Sequence, residues 1–227
     1  MSNYLITCPS CGEKNPIFRS VCKKCGTVIR DRVPSIDLWK TFGQLIENPE
    51  NAFIEIIQAE QKNFVTFIWF AALFKIYILS IILSSVISSR RFSLLNFLVL
   101  LIFSIFPVIL TGLFLKKIVN KKLIEFRLKD YFAGVSFSLM PQLIGLVIVF
   151  AMEFIVFGEQ LFTFNPSPFL IKKNFAYLFL ILEIGIIVWN ISLTSKLFFL
   201  YFNKKFLSYF YALIVIGLIY LSMNIFL

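Results

Sequence analysis

The chain has 227 residues, 59% of them apolar, with a net charge of +10 and no histidine. Its mean hydropathy is +0.87. Charge is pushed out of long stretches such as FLVLLIFSIFPVILTGLFL (97–115), which excludes an ordinary soluble domain, because about 20 consecutive apolar residues cross a bilayer core of roughly 30 Å.

In chain order, the cysteines come first. All four fall in CPSCG and CKKCG, as Cys8 with Cys11 and Cys22 with Cys25. A C-x-x-C turn aims two thiolates at one point about 2.3 Å from each sulfur. Gly12 and Gly26 follow the pairs; glycine there permits the positive-φ turn that frees backbone N–H groups for the sulfurs. With no histidine in the chain, the expected ligand set is four thiolates, and the expected metal is zinc. Lys14, Arg19, Lys23 and Lys24 lie close enough in sequence to offset the excess negative charge. An iron–sulfur cluster, a disulfide framework or a redox pair are the alternatives. A module of residues 1–29 is too small to bury a core, so the metal is expected to staple a short zinc ribbon, and four sulfurs leave no open position for catalysis. Met1 to Thr7 lacks the pattern of a secretory signal, so the N-terminus is expected to be retained.

Residues 30–63 read as a linker and an amphipathic surface helix. RDRVPSIDLWKTFGQ mixes charge, proline and tryptophan and reads as a connector. In ENPENAFIEIIQAEQKNF, Asn48 suits an N-cap, Pro49 the first turn and Glu50 the positive end of the dipole. Ala52, Phe53, Ile56, Ile57 and Phe64 recur at helical spacing, which predicts a helix lying on the membrane surface or extending the first span.

Residues 64–227 are expected to hold five spans, at 64–89, 92–115, 131–157, 175–202 and 206–227. The fold class is therefore an all-α membrane protein, a five-helix transmembrane bundle preceded by a small zinc ribbon. With the N-terminus inside, sixteen Lys and Arg fall on the inner side, against Arg90, Arg91, Lys172 and Lys173 outside. Positive charge accumulates in cytoplasmic loops, so the expected location is the cell membrane, multi-pass, with the N-terminus cytoplasmic and the C-terminus outside. A reducing cytoplasm also suits the thiolates.

Charges inside spans are costly, at least about 2.5 kcal/mol each, and are functional candidates by default. Lys75 and Glu183 stand near mid-span and are candidates to pair. Glu153 is expected to reach outer water and Lys196 to snorkel to the inner surface. Pro107 and Pro141 permit kinks. Gly145 permits close helix approach, Ser136 and Ser138 are candidates to bond the freed carbonyls, and Asn190, Ser192 and Thr194 form a polar patch.

Two segments carry a family resemblance. ENPENAFIEII is similar to the N/D-P-x-x-x-F-x-x-I entry segment of prokaryotic Yip-type proteins, on Asn48, Pro49, Phe53 and Ile56. DYFAGVSFSLMPQLIGLVI (130–148) resembles the start of that family's third span, on Asp130, Tyr131, Phe137, Ser138, Leu139 and Pro141. Ser136 stands where eukaryotic members often have glycine. The resemblance implies a five-span bundle with a cytoplasmic N-terminus, and a zinc ribbon resembles an accessory of some prokaryotic members. The eukaryotic members' link to Rab GTPases and vesicle trafficking is not carried over.

No HExxH, GxSxG, P-loop or dinucleotide fingerprint occurs, and the commonest general base is missing. The expectation is a non-enzymatic membrane scaffold or adaptor whose zinc ribbon docks a cytoplasmic protein. The alternative is a small transporter or lipid-handling protein using Lys75 and Glu183. The lipid bilayer is an expected partner, and self-association stays open. Nucleic acid is disfavoured, because the basic ribbon lacks interleaved aromatics for base stacking.

Overall fold

The computed structural model describes residues 5–16, 19–30, 35–84, 93–118, 126–162 and 166–224. Arg90 and Arg91 of the expected outer loop, and Lys121 and Lys122 of an inner one, lie outside them. The N-terminal module has one hairpin, β1 (Leu5–Thr7) antiparallel to β2 (Lys14–Pro16), with Leu5 opposite Pro16. A second, smaller turn brings Val21 opposite Val28.

The connector is a correction: it contains a helix, α1 (Leu38–Glu47). Asp37 is its N-cap, accepting the Lys40 N–H at 2.9 Å, and Leu38, Phe42 and Leu45 fall on one apolar face. Asn48 closes α1 by donating its N–H to the Gln44 carbonyl. It also opens α2 (Pro49–Gln58), its side chain accepting from the Asn51 N–H at 3.3 Å.

Among the described residues, five helices are long and apolar enough to cross a membrane. They are α3 (Val65–Ser84), α4 (Leu94–Ile118), a composite third span (Leu128–Phe162), α9 (Lys173–Phe202) and α10 (Lys205–Asn224). A short α8 (Pro168–Ile171) precedes α9. This arrangement fits an all-α, multi-pass membrane protein. α3 is the central helix, with 78% of its apolar window buried against 33–39% in the others. It packs on α4, the third span and α10, while α9 and α10 pack on each other. α4 continues through Pro107, and the Thr111 hydroxyl donates back to the Pro107 carbonyl at 2.7 Å.

The third span is not one α-helix. It runs as α5 (Leu128–Ser138), a turn at Leu139, α6 (Met140–Ile144), a π-helical turn (Gly145–Val149), α7 (Phe150–Phe157) and a 3-10 turn (Gly158–Phe162). Pro141 has no N–H to offer, so the helix is interrupted there. Ser136 and Ser138 do not bridge that break: they bond the Phe132 and Val135 carbonyls, behind them on α5.

The surface-helix expectation also needs correction. The apolar face of α2 is covered by protein: Ala52, Phe53 and Ile56 are fully buried, with α2 packed on α5 and α9 at one end of the bundle. Charges fasten both ends of α2. At its start Glu50 pairs with Lys196 of α9 at 2.8 Å, so Lys196 does more than snorkel. The last carbonyls of a helix lack internal partners, and cations favour that end of the dipole. Lys62 and Arg127 supply both needs: each donates to the Ile57 carbonyl at 3.2 Å, and Lys62 also donates to that of Ile56. Asp130, 2% exposed, pairs with Lys62 at 2.9 Å and grips Arg127 at 2.5 and 2.9 Å. Burial pulls the Lys62 amine down to about 8, although Asp130 opposes the shift.

Candidate metal centre and buried charge cluster

The two cysteine turns are built alike. In the first, the Cys8 N–H donates to the Glu13 carbonyl at 2.9 Å and the Gly12 N–H to the Cys8 carbonyl at 3.0 Å. In the second, Cys22 bonds Thr27 at 2.9 Å and Gly26 bonds Cys22 at 3.2 Å. Gly12 and Gly26 have φ of +71° and +73°, which other L-residues adopt only at a cost.

Folding brings Cys8, Cys11, Cys22 and Cys25 together, with all four sulfurs within 4.8 Å of one another. Cys8 to Cys25 and Cys11 to Cys22 are each 3.6 Å, and all four are free thiols. A tetrahedron with metal–sulfur bonds of about 2.3 Å has edges of about 3.8 Å. The donor set therefore fits one four-coordinate ion.

Electrostatics point the same way. The N–H groups of Cys25 and Lys24 and the Asn15 amide lower the Cys22 thiol to about 6, against burial. The Thr27 hydroxyl and N–H lower Cys25. Cys11 goes the opposite way: the Glu13 N–H pulls it down, but burial and the three crowding sulfurs outweigh this and hold it at about 12. Four sulfurs this close cannot all ionise without a cation among them.

Asn15, fully buried, is a residue that spacing did not reveal. Its amide donates to the Glu13 carbonyl at 2.9 Å and to Cys22 Sγ at 3.4 Å, and its oxygen accepts the Lys23 N–H at 2.8 Å. One side chain thus ties the two turns together and touches a ligand. Of the four nearby cations named from sequence, Lys24 makes a long pair with Glu13, 3.9 Å on an exposed surface, which is worth little.

The second candidate lies inside the bundle. Lys75 of α3, 0% exposed, has its Nζ 2.5 Å from Oε1 of Glu183, 1% exposed. A third charge joins them. Glu153, expected to reach outer water, is 3% exposed and lies 3.4 Å from the same Nζ. The cause is the π turn, in which the Phe150 N–H bonds the Gly145 carbonyl five residues back. That wider turn rotates α7, so Glu153 faces α3. Gly145 makes room: a Cβ there would meet Ile186 at 2.9 Å and the Lys75 stem at 3.5 Å. Apolar residues one turn along from the three charges, Val149, Phe157, Phe179, Ile186 and Ile78, belong to one buried hydrophobic cluster.

Beside this cluster stands an amide–phenol group. The Gln142 amide donates to the Tyr220 hydroxyl, and the Asn190 amide lies 3.5 Å from it. Thr194 donates to Ser138 at 2.8 Å. Comparison of the chain with protein-family models, with curated proteins and with solved structures gave no match.

Proposed function

We propose that this protein is a non-enzymatic membrane adaptor, in which a cytoplasmic zinc ribbon docks a protein partner and a five-span bundle of Yip type holds the ribbon at the cell membrane. The observation that carries the reading is the closed tetrahedral set of Cys8, Cys11, Cys22 and Cys25. Such a set binds an ion for structure and leaves no open position for substrate. Zinc suits four thiolates without redox chemistry. The docked α1–α2 pair supports an anchoring role, because it follows the ribbon directly and is fastened to the bundle by Asp130 and Lys196.

Orientation rests on charge. Among the described residues, Lys62, Lys116, Lys117, Arg127, Lys129, Lys204 and Lys205 gather near the bundle end that α2 caps, with Lys172 and Lys173 at the other. This charge bias supports a cytoplasmic N-terminus and, after five spans, a C-terminus outside. Metal analysis of the purified full chain should give one zinc per molecule, lost in Cys22→Ser. The intact protein should retain a cytoplasmic partner that a version without residues 1–30 loses. Iron in place of zinc, or identical partners for both versions, would refute the adaptor reading.

The alternative is a small transporter or lipid-handling protein. The buried Lys75, Glu153 and Glu183 favour it, since ionisable groups inside spans commonly mark ion or proton paths. Flux into vesicles carrying the purified protein, abolished by Lys75→Met, is the measurement that selects it.

A further inference from the structure

The charge cluster does not balance. Lys75 carries one positive charge, and Glu153 and Glu183 together carry two negative ones. All three are at least nine-tenths buried, on helix faces that also carry a buried apolar cluster. A net charge held in such surroundings costs several kcal/mol, and such a group neutralises instead. No other cation among the described residues is in ion-pair contact with either carboxylate.

Hydrogen-bond accounting gives a second, independent sign. Among the described residues neither Glu183 oxygen accepts a hydrogen bond, because the close Lys75 contact is an ion pair without hydrogen-bond alignment. The side-chain oxygens of Gln142 and Asn190, both fully buried, also lack donors. Lys75 donates to Glu153 instead. Four buried oxygens thus stand without a donor among the described residues, and unfilled buried acceptors are costly.

One ligand corrects the charge and adds a donor. We propose that the cluster binds a single exchangeable proton, held on Glu153 and shared with Glu183 across Lys75. The proton comes from water. It forms one O–H bond on a Glu153 oxygen, brings the cluster to zero net charge and adds one hydrogen-bond donor to it. Glu153 is the carrier because its contact with Lys75 is the longer of the two, 3.4 against 2.5 Å. The titratable groups on the packed elements are Lys75 on α3, Glu153 on α7, Glu183 on α9 and Tyr220 on α10. The proposal stands apart from the transport reading: a proton can be held without crossing, so a bound proton with no flux would keep the first and sink the second.

The test is infrared difference spectroscopy of the full chain in detergent at neutral pH, reading the C=O stretch of protonated carboxyl groups. Wild type should show one buried carboxylic acid, with its band shifted in D2O. Glu153→Gln should abolish the band. Glu183→Gln should abolish it too, because Glu153 can then ionise against Lys75. Lys75→Met should about double it, because both carboxyls then lack a counter-charge. If Lys75→Met does not fold, the two glutamine variants decide. Absence of the band in wild type, its survival in Glu153→Gln, or its loss on adding sodium or potassium would overturn the proposal, the last by showing that a metal cation fills the place.

Discussion

Asn15→Ala should weaken metal binding although Asn15 is not a ligand. Three hydrogen bonds run from its side chain, to Glu13, Lys23 and Cys22 Sγ. Alanine removes all three, leaving the Lys23 N–H without its acceptor and the Glu13 carbonyl with the Cys8 N–H alone. It also removes a donor that stabilises the Cys22 thiolate. Partners that orient a ligand in this way are typically worth 10- to 100-fold in metal affinity, or about 1.4–2.8 kcal/mol. The assay is competition for Zn2+ between the full-length protein in detergent and a chromophoric chelator. Asn15→Asp refines it, because that side chain keeps the acceptor for Lys23, loses the donor to sulfur and adds negative charge beside the thiolates. It should bind more weakly than wild type. Unchanged zinc affinity in Asn15→Ala would show that the two turns hold together without their bridge.

Two glycines give opposite expectations. In Gly112→Ala the new Cβ would sit 2.8 Å from the Tyr131 ring, which is pinned by its hydrogen bond to Thr111 at 2.8 Å; overpacking should cost about 1–3 kcal/mol. In Gly185→Ala nothing lies within 4 Å, so stability should hold or rise, and thermal unfolding in detergent compares the pair. Lys62 sets a pH dependence. The folded chain gives up this proton at about 8, whereas the unfolded chain keeps it to about 10.4. The unfolded form therefore binds more protons between those values, and stability should rise with pH across that window and be flat below it. The rise should vanish in Lys62→Met, as read by melting at a series of pH values.

The parts of the structure that are local in sequence were legible there. The four cysteines announce themselves by two equal spacings with a following glycine, and Asn48–Pro49 marks a helix start by capping chemistry alone. α1 was misread because Arg30, Asp31, Arg32 and Pro34 look like a linker, although Asp37 three residues before Lys40 is the same cap signal in a quieter setting. Asn15 was missed because it belongs to no motif and acts only once the second turn folds against the first. Glu153 was misjudged for a different reason. Its place near the outer end of the third span says that it can reach outer water, and nothing in GLVIV states that a wider turn there brings it round to Lys75. Lys75 and Glu183 could be named as candidates because mid-span charge is conspicuous on any projection.

That wider turn makes the charge cluster depend on a residue count as well as on residue identities. A π turn amounts to one residue inserted in an α-helix, and each residue advances the helix by about 100°. Deleting any one of residues 145–149 would let the span close as ordinary α-helix. Glu153 would then swing by about that angle, away from Lys75 and toward the lipid-facing side where Val147 and Ile155 now stand exposed. Conservative substitution of the same residues would leave the phase intact. A single-residue deletion scan along Leu128–Phe162 should therefore register this stretch as intolerant of indels out of proportion to the chemistry of its side chains, and a compensating insertion before Met152 should restore what the deletion removed.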